Sequence, residues 1–241
     1  MLHKTKGIVL HTTNYSETSV VAKIYTELFG LQSYLINSVR SNKAKIRSAV
    51  LQPLSLVEMI VYHKANKGLQ RISEIKSNPV FSTIPNDIRK SSIALFINEI
   101  LYKSLREEEP DQKLFEFVFH SIHLLDLRTE NSSDFHLSFL AQLTKYLGFY
   151  PHGEYSEQTP IFNLVEGKFQ QSQPIHSHFI SYPVSYYVDK LLKTSYDSLN
   201  ELNISISSRR DLLKRLIEYY ELHLANFKEV KSYEVLEEIM N

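Results

Sequence analysis

Arg40, Lys43, Lys45 and Arg47 fall within eight residues, separated by Ser, Asn, Ala and Ile alone. No carboxylate lies among them to neutralise the charge. Cations at this density gain free energy by displacing counterions condensed on phosphates, so the chemistry they suit is holding a polyanion backbone. Further cations lie on or beside neighbouring strand-like runs: Lys4 and Lys6 at the first run, Lys23 on the second, Lys64 and Lys67 at a later turn, and Arg71 on the last run. The formal net charge of the chain is zero, yet residues 1–80 hold eleven Lys/Arg against four Asp/Glu, leaving about −7 for the rest. Such a split says more about partners than the total does, and a basic first domain points towards nucleic acid. The competing reading of the 40–47 segment is a solvated hairpin loop.

Other chemistries find little support. The chain has no cysteine, which removes disulfides, thiolate catalysis and thiolate-held zinc. There is no Gly-x-Ser-x-Gly elbow and no Gly-x-x-x-x-Gly-Lys-Ser/Thr loop, and six glycines are few for a nucleotide cradle. Among ten histidines, His120 and His123 lie three apart on a predicted helix, and His176 and His178 sit in an irregular stretch. Both pairs read as structural, and no metal, cofactor or catalytic residue is expected. The run Glu107–Glu109 reads as a solvated corner. The start, MLHKTKGIVLHT, lacks the apolar core of a signal peptide, and no run approaches the roughly 18 apolar residues of a membrane span. The expectation is a soluble, cytoplasmic protein.

The elements that must position the cations follow from periodicity. Ile8–His11, Val20–Thr26, Leu31–Val39, Leu54–Tyr62 and Leu69–Ile75 alternate or are rich in β-branched residues, with turn formers at 12–17 and a tight turn at Gly30. Five short strands in this span fit a barrel of the oligonucleotide-binding (OB) type, and the count alone would also fit an SH3-like barrel. Tyr15, Tyr25, Tyr34 and Tyr62 are candidate base-stacking platforms, each equally a candidate for the core. After Pro79 the period changes. Asn86 is the expected N-cap of a helix carrying Ile93, Phe96, Ile97, Ile100, Leu101 and Leu105. Leu114, Phe115, Val118, Ile122 and Leu125 mark a second helix. Phe135, Phe139, Leu140, Leu143 and Leu147 mark a third, ended by Gly148. Residues 148–184 lose periodicity and form an irregular lobe with a hairpin at 161–171. Short helix Tyr186–Lys193 and long helix Ser208–Phe227 follow, the latter burying Leu212, Leu213, Leu216, Ile217, Tyr220 and Leu224. Its other face carries Arg209, Arg210, Lys214 and Arg215, a candidate extension of the basic track. The tail from Lys228 is weakly amphipathic and expected to be mobile. The class is α+β: an OB-type barrel over about 1–80, then a helical domain over 81–241 with the lobe inserted at 148–184.

The order of these parts resembles the RecO family of bacterial recombination mediators. The likeness rests on Gly7-Ile8-Val9-Leu10, Tyr15-Ser16-Glu17-Thr18-Ser19, Phe29-Gly30-Leu31, the basic segment with Leu51-Gln52-Pro53, Phe139–Leu143 with Leu147-Gly148, and the Arg209-Arg210 helix. It implies an N-terminal OB domain and a helical domain with a small lobe. It also implies binding of single- and double-stranded DNA, strand annealing, and help in loading RecA onto DNA coated by single-stranded DNA-binding protein (SSB). The implied partners are RecR, often RecF, and the SSB C-terminal tail. Many members hold zinc in the lobe through four cysteines; this chain departs from them, so zinc is not expected. The reading is thus a non-enzymatic DNA-binding mediator in DNA repair and recombination. Its rivals are an interaction module whose helical domain binds a partner peptide, and a hydrolase or transferase with an unrecognised site.

Overall fold

Alternation of apolar residues sets the strands β1 (Leu2–Asn14), β2 (Val20–Thr26), β3 (Gly30–Ile36), β4 (Leu56–Tyr62) and β5 (Gln70–Ser77). In the computed structural model, which describes residues 1–37, 39, 48–65, 67–106, 109–129 and 132–239, they close into a barrel in the order β1-β2-β3-β5-β4. Only the β3–β5 pairing is parallel. β1 pairs with β4 through Leu2–Ile8 and with β2 through Gly7–Asn14, with a register shift between Val9 and His11. Closing so few strands demands this stagger, which is why β1 runs far beyond the expected Ile8–His11 core. Val9, Ala22, Ile24, Tyr34, Ile36, Val57, Met59 and Val61 face inwards and form the core. Burying each Val, Ile or Met side chain among them contributes about 1.5–3 kcal/mol.

The outer side of β1 and β2 is covered by two helices of the same compact unit, Met1–Leu127. α1 (Ile88–Ser104) starts at Asp87, whose carboxylate accepts the N–H groups of Arg89 and Lys90 at 2.8 and 3.1 Å. The expected cap Asn86 instead ends a 3-10 turn, Ile84–Asn86, and donates from its amide to the Ser82 carbonyl at 3.0 Å. The cap sits one residue later because the turn consumes the Pro85-Asn86 pair. α1 buries Ile93, Phe96, Ile97, Ile100 and Leu101, and the Asn98 amide donates to the Leu10 carbonyl at 3.0 Å. α2 (Gln112–Leu127) buries Leu114, Phe115, Val118, Ile122 and Leu125 as its spacing predicts. Glu107 and Glu108 lie outside the described residues.

The second unit is Arg128–Asn241. α3 (Phe135–Leu147) ends at Gly148, whose φ of 86° is the left-handed conformation a helix C-cap favours. The lobe holds the expected hairpin, β6 (Ile161–Asn163) and β7 (Lys168–Gln170). A two-residue strand that the sequence does not announce, β8 (Phe179–Ile180), completes a sheet ordered β7-β6-β8. Its core is Phe162, Leu164, Phe169 and Ile180. α4 (Val184–Lys193) is followed by α5 (Ile206–His223), capped by Ser205, which accepts the Ser208 N–H at 3.1 Å. α5 buries Leu212, Leu213, Leu216, Tyr219 and Tyr220, while Ile217 is only half-buried. The tail, expected to be mobile, carries α6 (Ser232–Ile239) with Leu236 1% exposed.

Candidate nucleic-acid interface

Arg40, Lys43, Lys45 and Arg47 lie outside the described residues, but the ends of their segment are fixed. β3 delivers the chain to Asn37, whose side-chain oxygen accepts from the Ser19 hydroxyl at 3.4 Å. Val39 on one side, and Leu51 in a 3-10 turn (Ser48–Leu51) on the other, are buried in the barrel core. The Tyr15–Ser19 motif is the β1–β2 turn, closed by the Tyr15 N–H donating to the Ser19 carbonyl at 2.9 Å.

The β4–β5 turn is organised by buried Gln70. Its amide donates to the carbonyls of Lys64 and Lys67 at 2.9 and 2.6 Å, and its oxygen accepts the Lys64 N–H at 3.0 Å. Both lysines are exposed. Pairing of β1, β4 and β5 then aligns outward residues in three rows: Lys6, Glu58 and Lys76; Lys4, Ile60 and Glu74; Leu2, Tyr62 and Arg71. Glu58 accepts Lys4 at 3.1 Å and Lys76 at 2.9 Å; its side chain is 17% exposed while each lysine is 69% exposed. The bonds from Lys76 and then Lys4 hold the Glu58 carboxyl below the usual carboxylate range. Arg71 is exposed and pairs across to Leu35 of β3, so one continuous sheet links this face to the strand that leads into the basic segment.

Lys6 and Lys23 turn towards the covering helices. The ammonium of Lys6 lies 5.5 Å from the ring centre of Phe119 on α2, and that of Lys23 lies 5.4 Å from the ring centre of Tyr102 on α1. Of the four candidate platforms, Tyr15 and Tyr62 are 64% and 47% exposed, whereas Tyr25 and Tyr34 are 3% and 0% exposed. Tyr34 faces inwards by strand parity, and Tyr25 is capped by α2, donating to the Asp111 carbonyl at 3.3 Å. Parity read along β3 could have removed Tyr34 from the candidates; nothing local announces the cover over Tyr25.

In the second unit, Arg209 is held by Asp134 and also donates to the Ile204 carbonyl at 3.2 Å. Arg210 lies 3.9 Å from Glu237, and Arg215 is 2.8 Å from Glu218 and 3.7 Å from Asp211. Lys214 is exposed. An arginine held by a carboxylate must give up that pair to take a phosphate, so Arg209, Arg210 and Arg215 are less available than the exposed Lys64, Lys67 and Arg71 of the barrel.

The lobe does not fit a zinc ion of the thiolate type. It has no cysteine, and its aromatic and aliphatic core fills the sheet. His178 is engaged with Glu218 at 2.6 Å. Burial pushes the Glu218 carboxyl up, but hydrogen bonds from His178 and Arg215 outweigh it and hold the group below its ordinary value. Among the described residues no group of three potential ligands gathers, and no helix is long and apolar enough to cross a membrane.

Two family models match the chain in succession. Residues 1–79 match the model described as "Recombination protein O N terminal" and residues 85–233 that described as "Recombination protein O C terminal". The chain is 37% identical over 241 residues to the DNA repair protein RecO of Phocaeicola vulgatus, covering 100% of both chains. It is 38% identical over 242 residues to that of Bacteroides fragilis, again covering 100% of both. Against the DNA repair protein RecO of Flavobacterium psychrophilum the identity is 37% over 239 residues, 99% of each. With both halves matched in order and relatives aligned from end to end, the chain belongs to the RecO family.

Proposed function

We propose that the protein is a non-enzymatic recombination mediator of cytoplasmic DNA repair. In this reading it binds single- and double-stranded DNA, anneals complementary single strands, and helps load RecA onto SSB-coated DNA. Residues 1–80 serve as the nucleic-acid-binding domain and residues 81–241 as the partner-binding domain, with RecR and the SSB C-terminal tail as partners. The observation that carries the reading is the outward display of barrel cations: Lys4, Lys64, Lys67, Arg71 and Lys76 are all exposed, beside a strand leading to four more.

Arg40, Lys43, Lys45 and Arg47, with Lys6, Lys64 and Arg71, take phosphates without reading bases, because such contacts position a strand rather than specify its sequence. Neutralising two backbones at once removes most of their repulsion, and base pairing then completes annealing. The test is anisotropy of a labelled single-stranded oligonucleotide at several salt concentrations. Four to six phosphate contacts give a slope of log affinity against log salt near about −3 to −4. Reversing the four charges of the 40–47 segment should weaken binding and flatten the slope. Absence of binding at low salt would overturn the reading.

A further inference from the structure

OB barrels commonly bind strands across β2 and β3 and the adjoining turns. Here the outer side of β1 and β2 is occupied by α1 and α2, to which Lys6 and Lys23 turn. Among the described residues, the row members Leu2, Lys4, Tyr62, Arg71 and Lys76 of β1, β4 and β5 are exposed. The rows place Tyr62 between Leu2 and Arg71, with Lys4 and Lys76 two rows of outward residues away at most. Outward residues on one strand lie about 7 Å apart and neighbouring strands about 4.8 Å apart, so the whole patch spans only a few nucleotides.

We propose that this β1–β4–β5 face is a second track for one nucleic-acid strand, with Tyr62 stacking on a base and Lys4 and Lys76 holding phosphates. An exposed ring set among cations is the combination that binds single strands without sequence preference. A base within a duplex has no free face for Tyr62, so the track selects unpaired strands. Glu58, sunk between Lys4 and Lys76, pairs with both ammonium groups while leaving each lysine 69% exposed. It subtracts one charge from the track, as does exposed Glu74 in the middle row, which keeps the strand releasable. Held here, one strand can meet a second held at the β3 exit. The proposal therefore rests on the annealing reading above and supplies its second site.

The test uses the full chain and labelled single-stranded and duplex oligonucleotides. Stoichiometric titration should give two short single strands per chain, falling to one when Lys4→Glu and Lys76→Glu are combined. Tyr62→Ala should lower single-strand affinity at least about fivefold at every salt concentration and leave duplex binding unchanged, whereas Tyr62→Phe retains stacking. Glu58→Gln should tighten binding and steepen the slope by up to about 0.7. That gain cannot arise from misfolding. One strand per chain in the unaltered protein, or unchanged single-strand binding in both Tyr62→Ala and Glu58→Gln, overturns the second track and leaves the face to another partner. Failure of the unaltered protein to bind any DNA would instead overturn the functional reading itself.

Discussion

The carboxylate of Asp126, near the end of α2, accepts the backbone N–H of Ile84 at 2.9 Å. It also takes the N–H groups of Ser82 and Thr83, each at 2.9 Å at the nearer oxygen, so one side chain ties the segment leaving the barrel to the helix covering it. Burial pushes the carboxyl up, but three backbone donors outweigh it and hold the group below its ordinary value. Asp126→Ala leaves those donors without partners and should cost about 3 kcal/mol or more. Because the folded-state value is depressed, the contribution is complete above the unfolded carboxylate value of about 3.9 and is lost as pH falls through the folded one. Denaturant titrations from pH 7 to pH 2 should show that acid loss in the native chain and not in Asp126→Asn.

His136, on α3, is fully buried, and burial and then nearby Arg209 push it down to about 3. The unfolded chain protonates this histidine below about 6.5 while the folded chain does not. The unfolded state thus binds more protons, and stability falls with falling pH by up to about 1.4 kcal/mol per unit between the two values. His136→Leu should flatten that part of the pH profile. Loss beginning only below pH 4 in the native chain would exclude a neutral His136.

Arg209 and Asp134 form a pair whose side chains are 15% and 8% exposed. Removing one partner of such a pair strands the other's charge, so Arg209→Ala should destabilise the second unit by about 3 kcal/mol. Its folded fraction should bind DNA as the native chain does. A large loss of affinity at full folding would place Arg209 on the track after all.

Gly167, in the β6–β7 turn, has φ of 62°, and a Cβ there would sit 2.5 Å from the Tyr219 hydroxyl. That hydroxyl donates to the Phe149 carbonyl at 2.7 Å. Gly167→Ala therefore meets both backbone strain and a displaced hydrogen bond, together about 2–3 kcal/mol. In a Tyr219→Phe background the penalty should shrink to the strain alone, which thermal melts of the four proteins would resolve.

Much of this architecture is written locally. Alternation located every barrel strand, and helical spacing named the buried residues of α1 and α2. What failed was non-local. The length of β1 follows from barrel closure, and β8 is two residues whose pairing partners, Phe162 and Asn163, lie far back in the chain. Tyr219 is buried because Phe149 and Phe162 meet it from elsewhere in the chain. The site divides in the same way. Composition alone exposed the basic segment, whereas the row Leu2, Tyr62 and Arg71 exists only once β1, β4 and β5 are in register. Charge pattern likewise marked α5 as basic without revealing Asp134, Glu218 and Glu237 as the partners of its arginines.

Gln70 separates charge from its presentation. It is 2% exposed and holds the turn bearing Lys64 and Lys67 through three hydrogen bonds. Gln70→Ala keeps every cation but releases the turn, so each bound phosphate must also order a loose segment. Ordering such a side chain costs about 0.5–1.5 kcal/mol, which for the two lysines predicts a loss of roughly 5- to 160-fold in affinity. The number of phosphate contacts is unaltered, so the salt slope should stay within about 0.7 of the native value. Lys64→Ala with Lys67→Ala should do the reverse, flattening the slope by about 1.4 whatever the stability of the turn. If Gln70→Ala instead flattens the slope as the lysine variants do, the turn loses its contacts outright when loosened, and its cations act only while Gln70 holds them.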